Sequence, residues 1–256
     1  MRFLVQIVIA SLLVGMVACQ STNNHAKPDA LIFGATGDTT ALNLAAEVLQ
    51  TNGGQEAWSQ SRYLAWTFFG RRRLVWDKWA QRVRIHYQDG SMDMVLNIPD
   101  TTGRVWKGGI EQTAPDSLDK YLSQAYRIWI NDSYWLVMPF KLRDPGVTLN
   151  YLGHDTTQSG EQAEVIQLQF AGVGVTPDNK YHIWIGHQPK EVLQWAYYRS
   201  SQDTLPGFTL SWTNYQRFDP TGIVLSSGRG EREMGDIRVY TELPEDVFNS
   251  VTATDW

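Results

Sequence analysis

One helical passage interrupts a chain that otherwise reads as a succession of strands. Between Asp116 and Pro139, apolar residues recur every three or four positions, which predicts an amphipathic helix. Asp116 is the predicted N-cap, and Pro139 is predicted to end the helical pattern. About five strand-like segments precede this passage and about six follow it. This order predicts a mainly β (α+β) fold, a curved antiparallel half-barrel of about eleven strands with helices packed in its concave face.

The strands are predicted from alternating polarity and from the turns that join them. Residues 82–88 alternate apolar and polar side chains, and Asp89-Gly90 is a strong signal for a two-residue hairpin turn. Strands of this length joined by short turns predict an antiparallel meander. No linker or fixed-period repeat divides residues 38–251, which are therefore predicted to form a single domain.

Several predicted strands carry bulky apolar residues on both faces, as Trp184 does between Ile183 and Ile185. Strands of an antiparallel sheet with one solvent-exposed face should alternate apolar and polar side chains. Apolar side chains on the second face therefore predict that this face contacts helices or a ligand. The two interpretations are a cavity for an elongated apolar guest and a concave face filled by helices alone. The candidate ligand-cavity residues are Trp66, Phe68, Trp76, Ile85, Tyr87, Leu96, Trp129, Trp135, Leu168, Phe170, Trp184 and Trp195.

The N-terminus has the pattern of a lipoprotein signal peptide over residues 1–18. Arg2 precedes an apolar run that is short for a membrane-spanning helix and that ends at Ala18, just before Cys19, the single cysteine. The junction resembles the bacterial lipobox, so Cys19 is the predicted lipid anchor, carrying an acyl chain such as palmitate; the alternative is ordinary secretory cleavage nearby. Residues 19–37 are predicted to be the lipidated Cys and a flexible tether.

The predicted address is the cell envelope. A lipid on Cys19 would hold the protein at a membrane without a spanning helix. Gln20 follows the cysteine where Asp would indicate inner-membrane retention, so the outer membrane is favoured, at its periplasmic face or at the cell surface. The predicted partners are this membrane, a lipid or acylated ligand, and an envelope protein. The net charge of −5 argues against nucleic acid, which requires a basic surface.

Catalytic patterns are scarce in the sequence. The lone Cys is assigned to the anchor, no Gly-x-Ser-x-Gly motif occurs, and residues 31–38 match the dinucleotide-binding pattern only weakly; a loop in which Asp38 caps a helix is the simpler interpretation. His182 and His187 are five positions apart near one strand, which disfavours a shared metal. We therefore predict no catalytic residue, no metal and no cofactor.

Three charged or polar segments have simple structural interpretations. Residues 71–73 are an arginine run, interpreted as an exposed strand end, with a basic rim for lipid phosphate as the alternative. Residues 131–133 are interpreted as a capping turn between two helices, with a role in the site as the alternative. The carboxylates of Asp77 and Asp93 lie on strands and are expected to be solvated, with a place in the cavity lining as the alternative.

The strands, the central helices and the lipobox together resemble the lipoprotein-localisation superfamily, the LolA/LolB-like half-barrels closed by helices. Residues 131–147 and 62–79 are similar to a group of bacterial exported proteins placed near that superfamily, and the likeness covers about residues 42–251. The resemblance implies that acyl chains bind in an apolar cavity. Roles in lipid sensing, envelope maintenance or scaffolding are equally compatible with it.

The predicted function is a membrane-anchored envelope lipoprotein that binds a lipid or acyl-chain-bearing ligand without chemistry. The alternative is a glycan-binding surface lipoprotein that uses exposed Trp faces as stacking platforms, since the chain has 11 Trp. A second alternative is a hydrolase-like enzyme, which would require titratable groups converging in the cavity. The exposure of the Trp side chains distinguishes the first two.

Overall fold

The computed structural model describes residues 30–170 and 178–251. Cys19, the predicted signal peptide and the first part of the predicted tether lie outside this range. The helices are α1 (Thr39–Thr51), α2 (Gly54–Gln60) and α3 (Pro115–Lys141), with a 3₁₀ turn at Glu245–Phe248. The strands are β1 (Thr36–Gly37), β2 (Tyr63–Phe68), β3 (Arg72–Asp77), β4 (Arg82–Tyr87), β5 (Met92–Asn97), β6 (Thr102–Lys107), β7 (Ile110–Glu111), β8 (Val147–Thr156), β9 (Gln162–Phe170), β10 (Lys180–Gly186), β11 (Val192–Tyr198), β12 (Phe208–Phe218), β13 (Ile223–Arg229) and β14 (Arg232–Tyr240).

Within the described residues, all strands belong to one curved, open sheet in the order β1-β8-β9-β10-β11-β12-β13-β14-β2-β3-β4-β5-β6-β7. Every pairing is antiparallel except that of β1 with β8. The predicted mainly β half-barrel with helices in its concave face is confirmed, but the sheet has 14 strands instead of about eleven. The edge strands β1 and β7 have two residues each, too short to show alternation in the sequence.

The central helical passage is one helix, so the prediction of two helices is wrong. Helix α3 has 27 residues, which corresponds to about 40 Å. It begins at Pro115 after an Ala114 N-cap, not at Asp116, and it continues through Pro139 to Lys141. Within the part of the chain that the structure describes, no helix has both the length and the apolar character needed to cross a membrane.

Arg229 allows α3 to continue through Pro139. Proline has no N–H, so the carbonyl of Trp135, four residues earlier, loses its normal helical donor. The Nε and Nη2 atoms of Arg229 donate to this carbonyl oxygen at 3.1 Å and 2.5 Å. Because β13 supplies the missing hydrogen bonds, Pro139 does not end the helix.

The predicted turn at residues 131–133 is instead part of α3, where Asp132 and Ser133 are buried and Asn131 is exposed. Asp132 is fully buried and accepts two hydrogen bonds from Arg72, at 2.6 Å from Nε and 2.9 Å from Nη2. Arg73 is also buried and pairs with Asp236 at 2.7 Å. Only Arg71 of the arginine run is exposed, so the interpretation as a free strand end is wrong for its two neighbours.

Residues 30–37 dock onto the domain, although the predicted tether included them. Leu31 lies in the hydrophobic core, and the amide of Gly34 donates to the carbonyl of Arg143 at 3.0 Å. Gly37 has a φ of +143° and passes so close to β8 that a Cβ would lie 1.9 Å from the Leu149 carbonyl oxygen, so only glycine fits there. Asp38 then caps α1, as predicted, by accepting from the amide of Ala41 at 2.8 Å.

The core occupies both faces of the sheet. On the concave face, α2 and α3 pack on strands β2 to β6, and α1 and the end of α3 pack on β8 to β12. On the convex face, Val247 and Phe248 cover Tyr63 and Val75. In the half of the sheet formed by β2 to β6, the bulky residues on the two faces are therefore covered by helices on one side and by the C-terminal segment on the other. The convex residues of β9 to β11, such as Val165 and Trp184, pack with one another instead.

Candidate functional site

A cavity of about 880 Å³ lies between α3 and the inner wall of the sheet. This volume is within the range of about 300–1,000 Å³ for small-molecule sites. Helix α3 contributes one continuous stripe, Arg127, Ile130, Tyr134, Val137 and Lys141, whose spacings of three and four residues put them on one face. With a rise of about 1.5 Å per residue, the stripe is about 21 Å long. The cavity is thus elongated, with an apolar middle and a cation at each end of the stripe.

Aromatic residues from the ends of β9 to β12 form the sheet side of the cavity. The ring centroids of Tyr181 and Trp195 are 5.3 Å apart in a stacked arrangement. Tyr197 and Phe208 stack at 5.0 Å, and Phe170 meets Tyr181 edge-on at 6.2 Å. Each of these rings packs against a neighbouring ring. The contacts between the rings therefore fix the shape of the wall.

A second group of aromatic residues closes the cavity beside β3. Trp76 packs edge-on against Trp58 at 6.1 Å and against Trp129 at 5.5 Å. Trp58 also contacts Phe140 of α3 at 4.9 Å. Helix α2 is therefore held against both the sheet and α3, and its one tryptophan becomes part of the cavity wall.

The N-terminal segment forms part of the rim. Ala30, Leu31 and Ile32 all line the cavity, and Leu31 is buried while the Ile32 side chain is exposed. Arg143, just after α3, lies over the Phe33 ring at 4.5 Å. These contacts place the start of the described chain beside the cavity.

Five of the predicted cavity residues line it, and the others do not. The five are Trp76, Trp129, Trp135, Phe170 and Trp195. Their contact with a ligand stays a prediction. Six others lie in or against the packed core of the concave face: Trp66, Phe68, Ile85, Tyr87, Leu96 and Leu168. The helices cover these six positions directly, so an inward-facing side chain there meets protein instead of open space.

Trp184 faces the convex side of the sheet, so its assignment to the cavity is wrong. Ile183 and Ile185 point into the concave core, and the two-residue period of a strand turns Trp184 the other way. It packs with Val165, and its indole N–H donates to Asp155 at 3.1 Å. The sequence alone could not tell which of two apolar faces is concave.

Several cavity residues were missed by the sequence prediction, among them Trp58, Ile130, Tyr134, Tyr181 and Phe208. The stripe on α3 was detectable, because its spacings continue through residues 131–133. Dividing the helix at those residues hid it. Trp58 and Phe208 carry no periodic signal, since they belong to a seven-residue helix and to the first position of a strand.

Three polar atoms in the cavity wall have no hydrogen-bond partner among the described residues: the Tyr134 hydroxyl and the indole nitrogens of Trp129 and Trp195. Two indole nitrogens of the packed core, those of Trp66 and Trp212, share this property. Burial raises the pKa of Tyr134 well above its ordinary value, and burial raises that of Tyr181 to about 12. Both phenols are therefore neutral near pH 7 and can donate to an oxygen atom.

Two of the cations that line the cavity, Lys78 and Lys141, lie beside Trp58, and Arg127 lies at the other end of the α3 stripe. The Nζ of Lys78 lies 3.7 Å from the Trp58 ring centroid and donates to the Trp58 carbonyl at 2.6 Å. The Nζ of Lys141 lies 5.6 Å from the same centroid and 3.1 Å from the Asp144 carboxylate. Burial raises the pKa of Asp144, and Lys141 opposes that rise. Among the described residues, this end of the cavity therefore holds two cations and one carboxylate.

The histidines of the described residues lie outside the cavity. His182 is bonded to Tyr198 at 3.1 Å and lies on the convex side, and burial lowers its pKa. The side chains of His154 and His187 are at least half exposed. Their Nδ1 atoms lie 3.5 Å and 3.9 Å from the carboxylate oxygens of Glu164. Over residues 30–170 and 178–251, no group of three His, Cys, Asp or Glu side chains is placed to hold a metal ion.

The chain is similar in fold to three solved structures at low sequence identity. An outer membrane lipoprotein-sorting protein domain from Vibrio parahaemolyticus has a TM-score of 0.41 and 12% identity, over 82% of this chain and 96% of that chain. A DUF1329 family protein from Desulfovibrio piger has a TM-score of 0.39 and 10% identity, over 82% and 95%. A LolA superfamily protein from Nitrosomonas europaea has a TM-score of 0.41 and 10% identity, over 80% and 96%.

No protein-family model matches the sequence, and no curated protein does.

Proposed function

We propose that this protein is a membrane-anchored envelope lipoprotein that binds a lipid or acyl-chain-bearing ligand reversibly and without chemistry. The cavity between α3 and the sheet is the proposed binding site. The observation that carries the proposal is its combination of volume, about 880 Å³, with an elongated apolar wall. Cys19 is the proposed lipid anchor, and the outer membrane is the proposed cellular location.

The energetics of the cavity favour an acyl chain. Each methylene that leaves water contributes about 0.8 kcal/mol, so about ten methylenes supply about 8 kcal/mol before the costs of association. The apolar middle of the α3 stripe, Ile130, Tyr134 and Val137, faces the aromatic wall without a charged side chain between them. A chain lying there would be bound by dispersion and desolvation, which allows release without a covalent step.

The glycan alternative requires Trp faces that are open to solvent. Every Trp from Trp58 to Trp212 is buried or half-buried, so none offers an open stacking platform. Five of these side chains line the cavity instead: Trp58, Trp76, Trp129, Trp135 and Trp195. This distribution supports a lipid over a sugar.

The enzyme alternative would use titratable groups in the cavity. Lys141 and Asp144 are the nearest such pair there, and they bind each other at 3.1 Å. Lys78 is tied to the Trp58 carbonyl at 2.6 Å. Neither arrangement provides a nucleophile activated by a base, which is the pattern expected of a hydrolase. That the protein is not an enzyme remains part of the proposal.

The test is occupancy of the cavity in protein purified from a bacterial envelope. Ser133 is buried and lines the cavity, so S133W should fill part of the space with an indole ring. Native mass spectrometry of the full chain should show co-purified lipid on the wild type and at least about tenfold less on S133W, because overpacking removes the room for a chain. The intact mass also reports whether Cys19 carries acyl chains.

The matched control is S123W, which adds the same ring at an exposed position of α3. It should retain wild-type lipid occupancy. An empty wild type that also fails to take up added lipid would contradict the proposal. So would equal lipid on S133W and S123W.

A further inference from the structure

We propose that residues 30–35, called here the rim segment, form a docking surface for an anionic lipid bilayer and hold the opening of the cavity against it. This inference rests on the proposed function, which supplies the membrane and the lipid ligand. It adds a membrane contact made by the folded domain itself, besides the lipid on Cys19. The exposure of the rim segment, its fixed backbone and a neighbouring cation support it.

The rim segment presents apolar side chains to solvent. Its sequence, Ala-Leu-Ile-Phe-Gly-Ala, contains no polar or charged side chain. Leu31 is buried, but Ile32 is 71% exposed and Phe33 is 42% exposed. Of the five large hydrophobic residues that are exposed in the described part of the chain, only these two are consecutive. Scattered apolar residues are ordinary on a protein surface, whereas a contiguous group at the edge of a cavity indicates an interaction surface.

The apolar surface continues from the rim segment to the turn after α3. Pro145 is exposed and packs against Gly34, where an added Cβ would lie 3.0 Å from the proline Cα and Cγ atoms. Pro145 also lines the cavity, as do Ala30, Leu31 and Ile32. The exposed apolar surface and the cavity lining therefore share residues, so a lipid that leaves a bilayer at the rim segment meets the cavity lining directly.

The backbone of the rim segment is already fixed to the domain. The amides of Gly34 and Ala35 both donate to the carbonyl oxygen of Arg143, at 3.0 Å and 3.2 Å. Leu31 anchors the other end of the segment in the hydrophobic core. Because the segment is ordered in advance, docking costs it little conformational entropy, and the exposed side chains keep most of their favourable burial for the membrane.

A cation lies beside the exposed side chains. The guanidinium of Arg143 is 4.5 Å from the Phe33 ring centroid. Among the described residues, Arg143 makes no ion pair, and the adjacent carboxylate of Asp144 binds Lys141 at 3.1 Å. Apolar side chains next to a basic residue fit the interface of an anionic membrane, where the apolar groups enter the acyl boundary and the cation meets lipid phosphate.

Two observations favour a bilayer over a second copy of the protein. Only ten residues, 20–29, separate the rim segment from Cys19, so an anchored Cys19 would present the bilayer to the segment at a high effective concentration. A two-fold contact between copies would bring the same patch together with itself. The two Arg143 guanidinium groups would then repel each other, whereas lipid phosphate would attract both.

The experiment measures the depth of a nitroxide label at position 32 by electron paramagnetic resonance. Full-length I32C, purified from a bacterial envelope, is labelled and reconstituted on vesicles of phosphatidylethanolamine and phosphatidylglycerol. Collisions of the label with a water-soluble nickel complex should fall at least about fivefold when vesicles are added, because docking carries the side chain below the headgroups. Wild-type protein taken through the same labelling measures any signal from Cys19.

The matched control is I110C. Ile110 is also an isoleucine that is 71% exposed, and it lies on β7, at the opposite edge of the sheet from β1, which follows the rim segment. A label at position 110 should remain equally accessible to the nickel complex with and without vesicles. Equal protection of the two labels would overturn the proposal, because the rim segment would then not be the docking surface.

Two further variants, made in the I32C background, test the chemistry of the contact. F33S should lower the ratio of docked to free label about tenfold, because a half-exposed ring no longer enters the membrane. R143Q should lower the ratio about fivefold on the anionic vesicles, the effect of one basic residue near such a surface, and should have no effect on vesicles of phosphatidylcholine. Because this difference depends on lipid charge, R143Q decides the outcome if F33S disturbs the fold.

The possible failures are distinguishable. A label at position 32 that stays water-accessible on vesicles overturns the docking surface, while lipid found in the cavity by native mass spectrometry leaves the proposed function intact. Protection without vesicles also overturns it: protection that rises with protein concentration indicates a second copy, and protection independent of concentration indicates residues 1–29 of the same chain. A protected label on a protein whose cavity takes no lipid overturns the proposed function alone.

Discussion

At the scale of single residues, the most consequential side chain outside the cavity is Asp77. It is fully buried at the end of β3, where Arg62 donates to it at 3.1 Å and 3.0 Å and Arg82 at 3.3 Å and 3.2 Å. The amide of Ala80 donates to the same carboxylate at 3.1 Å, and Arg82 continues to Glu245 at 2.8 Å. Asp77 therefore joins Arg62, just before β2, to Arg82 of β4, and Arg82 extends this network to the C-terminal segment.

Acid should weaken this junction. Burial works to raise the pKa of Asp77, but the hydrogen bonds from Arg62 and Ala80 outweigh it and leave the pKa below its ordinary value of 3.8. A carboxylate whose pKa is lower in the folded state adds stability that is fully present above the unfolded pKa and is lost as the pH falls through the folded pKa. D77N should lower the free energy of unfolding by about 3 kcal/mol at pH 7, because it leaves the guanidinium groups of Arg62 and Arg82 without this carboxylate.

Urea unfolding of the wild type and D77N at pH 7 and at several values below 3.8 measures this effect. The difference in the free energy of unfolding should shrink as the pH falls below 3.8, because the wild type then loses the same charge. D219N is the matched control, at a carboxylate that is 88% exposed, and should change stability little at any pH. A D77N deficit that is unchanged at low pH would contradict the ion-pair explanation.

At the scale of elements, the route of α3 depends on two long-range contacts. Arg229 replaces the hydrogen bond that Pro139 removes, and it lies 3.4 Å from the Trp212 ring centroid. Burial lowers the pKa of Arg229 to about 9. The Arg72–Asp132 pair holds the middle of the helix to β3. Burial raises the pKa of Asp132, although the hydrogen bonds from Arg72 oppose that rise. Both contacts fix the cavity side of α3.

A double-mutant cycle tests the link between Arg229 and Pro139. R229M leaves the Trp135 carbonyl without its donors, whereas P139A restores a backbone N–H that can donate to it. The loss of stability caused by R229M should therefore be smaller by about 1 kcal/mol in the P139A background than in the wild type. Chemical denaturation of the four proteins measures the coupling. A coupling of zero would mean that Arg229 does not substitute for the missing N–H.

Local patterns predicted some elements well and others poorly. The alternation in residues 82–88 and the Asp89-Gly90 turn predicted β4 and its hairpin, and Asp38 was predicted as the cap of α1. Pro139 was assigned as a helix end because its local effect is unambiguous. The compensating residue, Arg229, is 90 positions away and leaves no trace in the helical pattern. The partner of Asp132, Arg72, is likewise 60 positions away, which hid the burial of Asp132.

At the scale of the whole molecule, the C-terminal segment completes the domain. The 3₁₀ turn at Glu245–Phe248 lies on the convex side of β2 to β6, where the Phe248 ring stacks on Tyr63 at 6.2 Å and lies 4.1 Å from the guanidinium of Arg82. Arg84 is buried below it and donates to the carbonyls of Val247 and Ser250 at 2.9 Å and 2.7 Å. The last described residues are therefore part of the core.

F248A should destabilise the whole domain. The ring is almost fully buried, so its loss should cost about 3–5 kcal/mol. Thermal unfolding followed by circular dichroism measures the shift, and L205A is the control because Leu205 is 80% exposed. Equal midpoints for F248A and L205A would show that the segment is not needed for stability.

The global architecture was more predictable than the site. Short strands, tight turns and one central helix define a curved antiparallel sheet almost by themselves. The cavity instead depends on which inward-facing side chains the helices leave uncovered. Trp76 and Trp66 both face the concave core from neighbouring strands, yet only Trp76 borders open space. That difference arises from the path of α3 and α2 over the sheet, which no local pattern encodes.

The docked N-terminal segment has a consequence for the exchange of ligand. Ala30 borders the cavity, and the eleven residues from Gln20 to Ala30 follow Cys19. Eleven residues span at most about 40 Å even when fully extended. If Cys19 is fixed in a bilayer, the edge of the cavity at Ala30 stays within about 40 Å of the membrane. Loading and unloading would then be intramolecular events, set by a high effective concentration instead of by free diffusion.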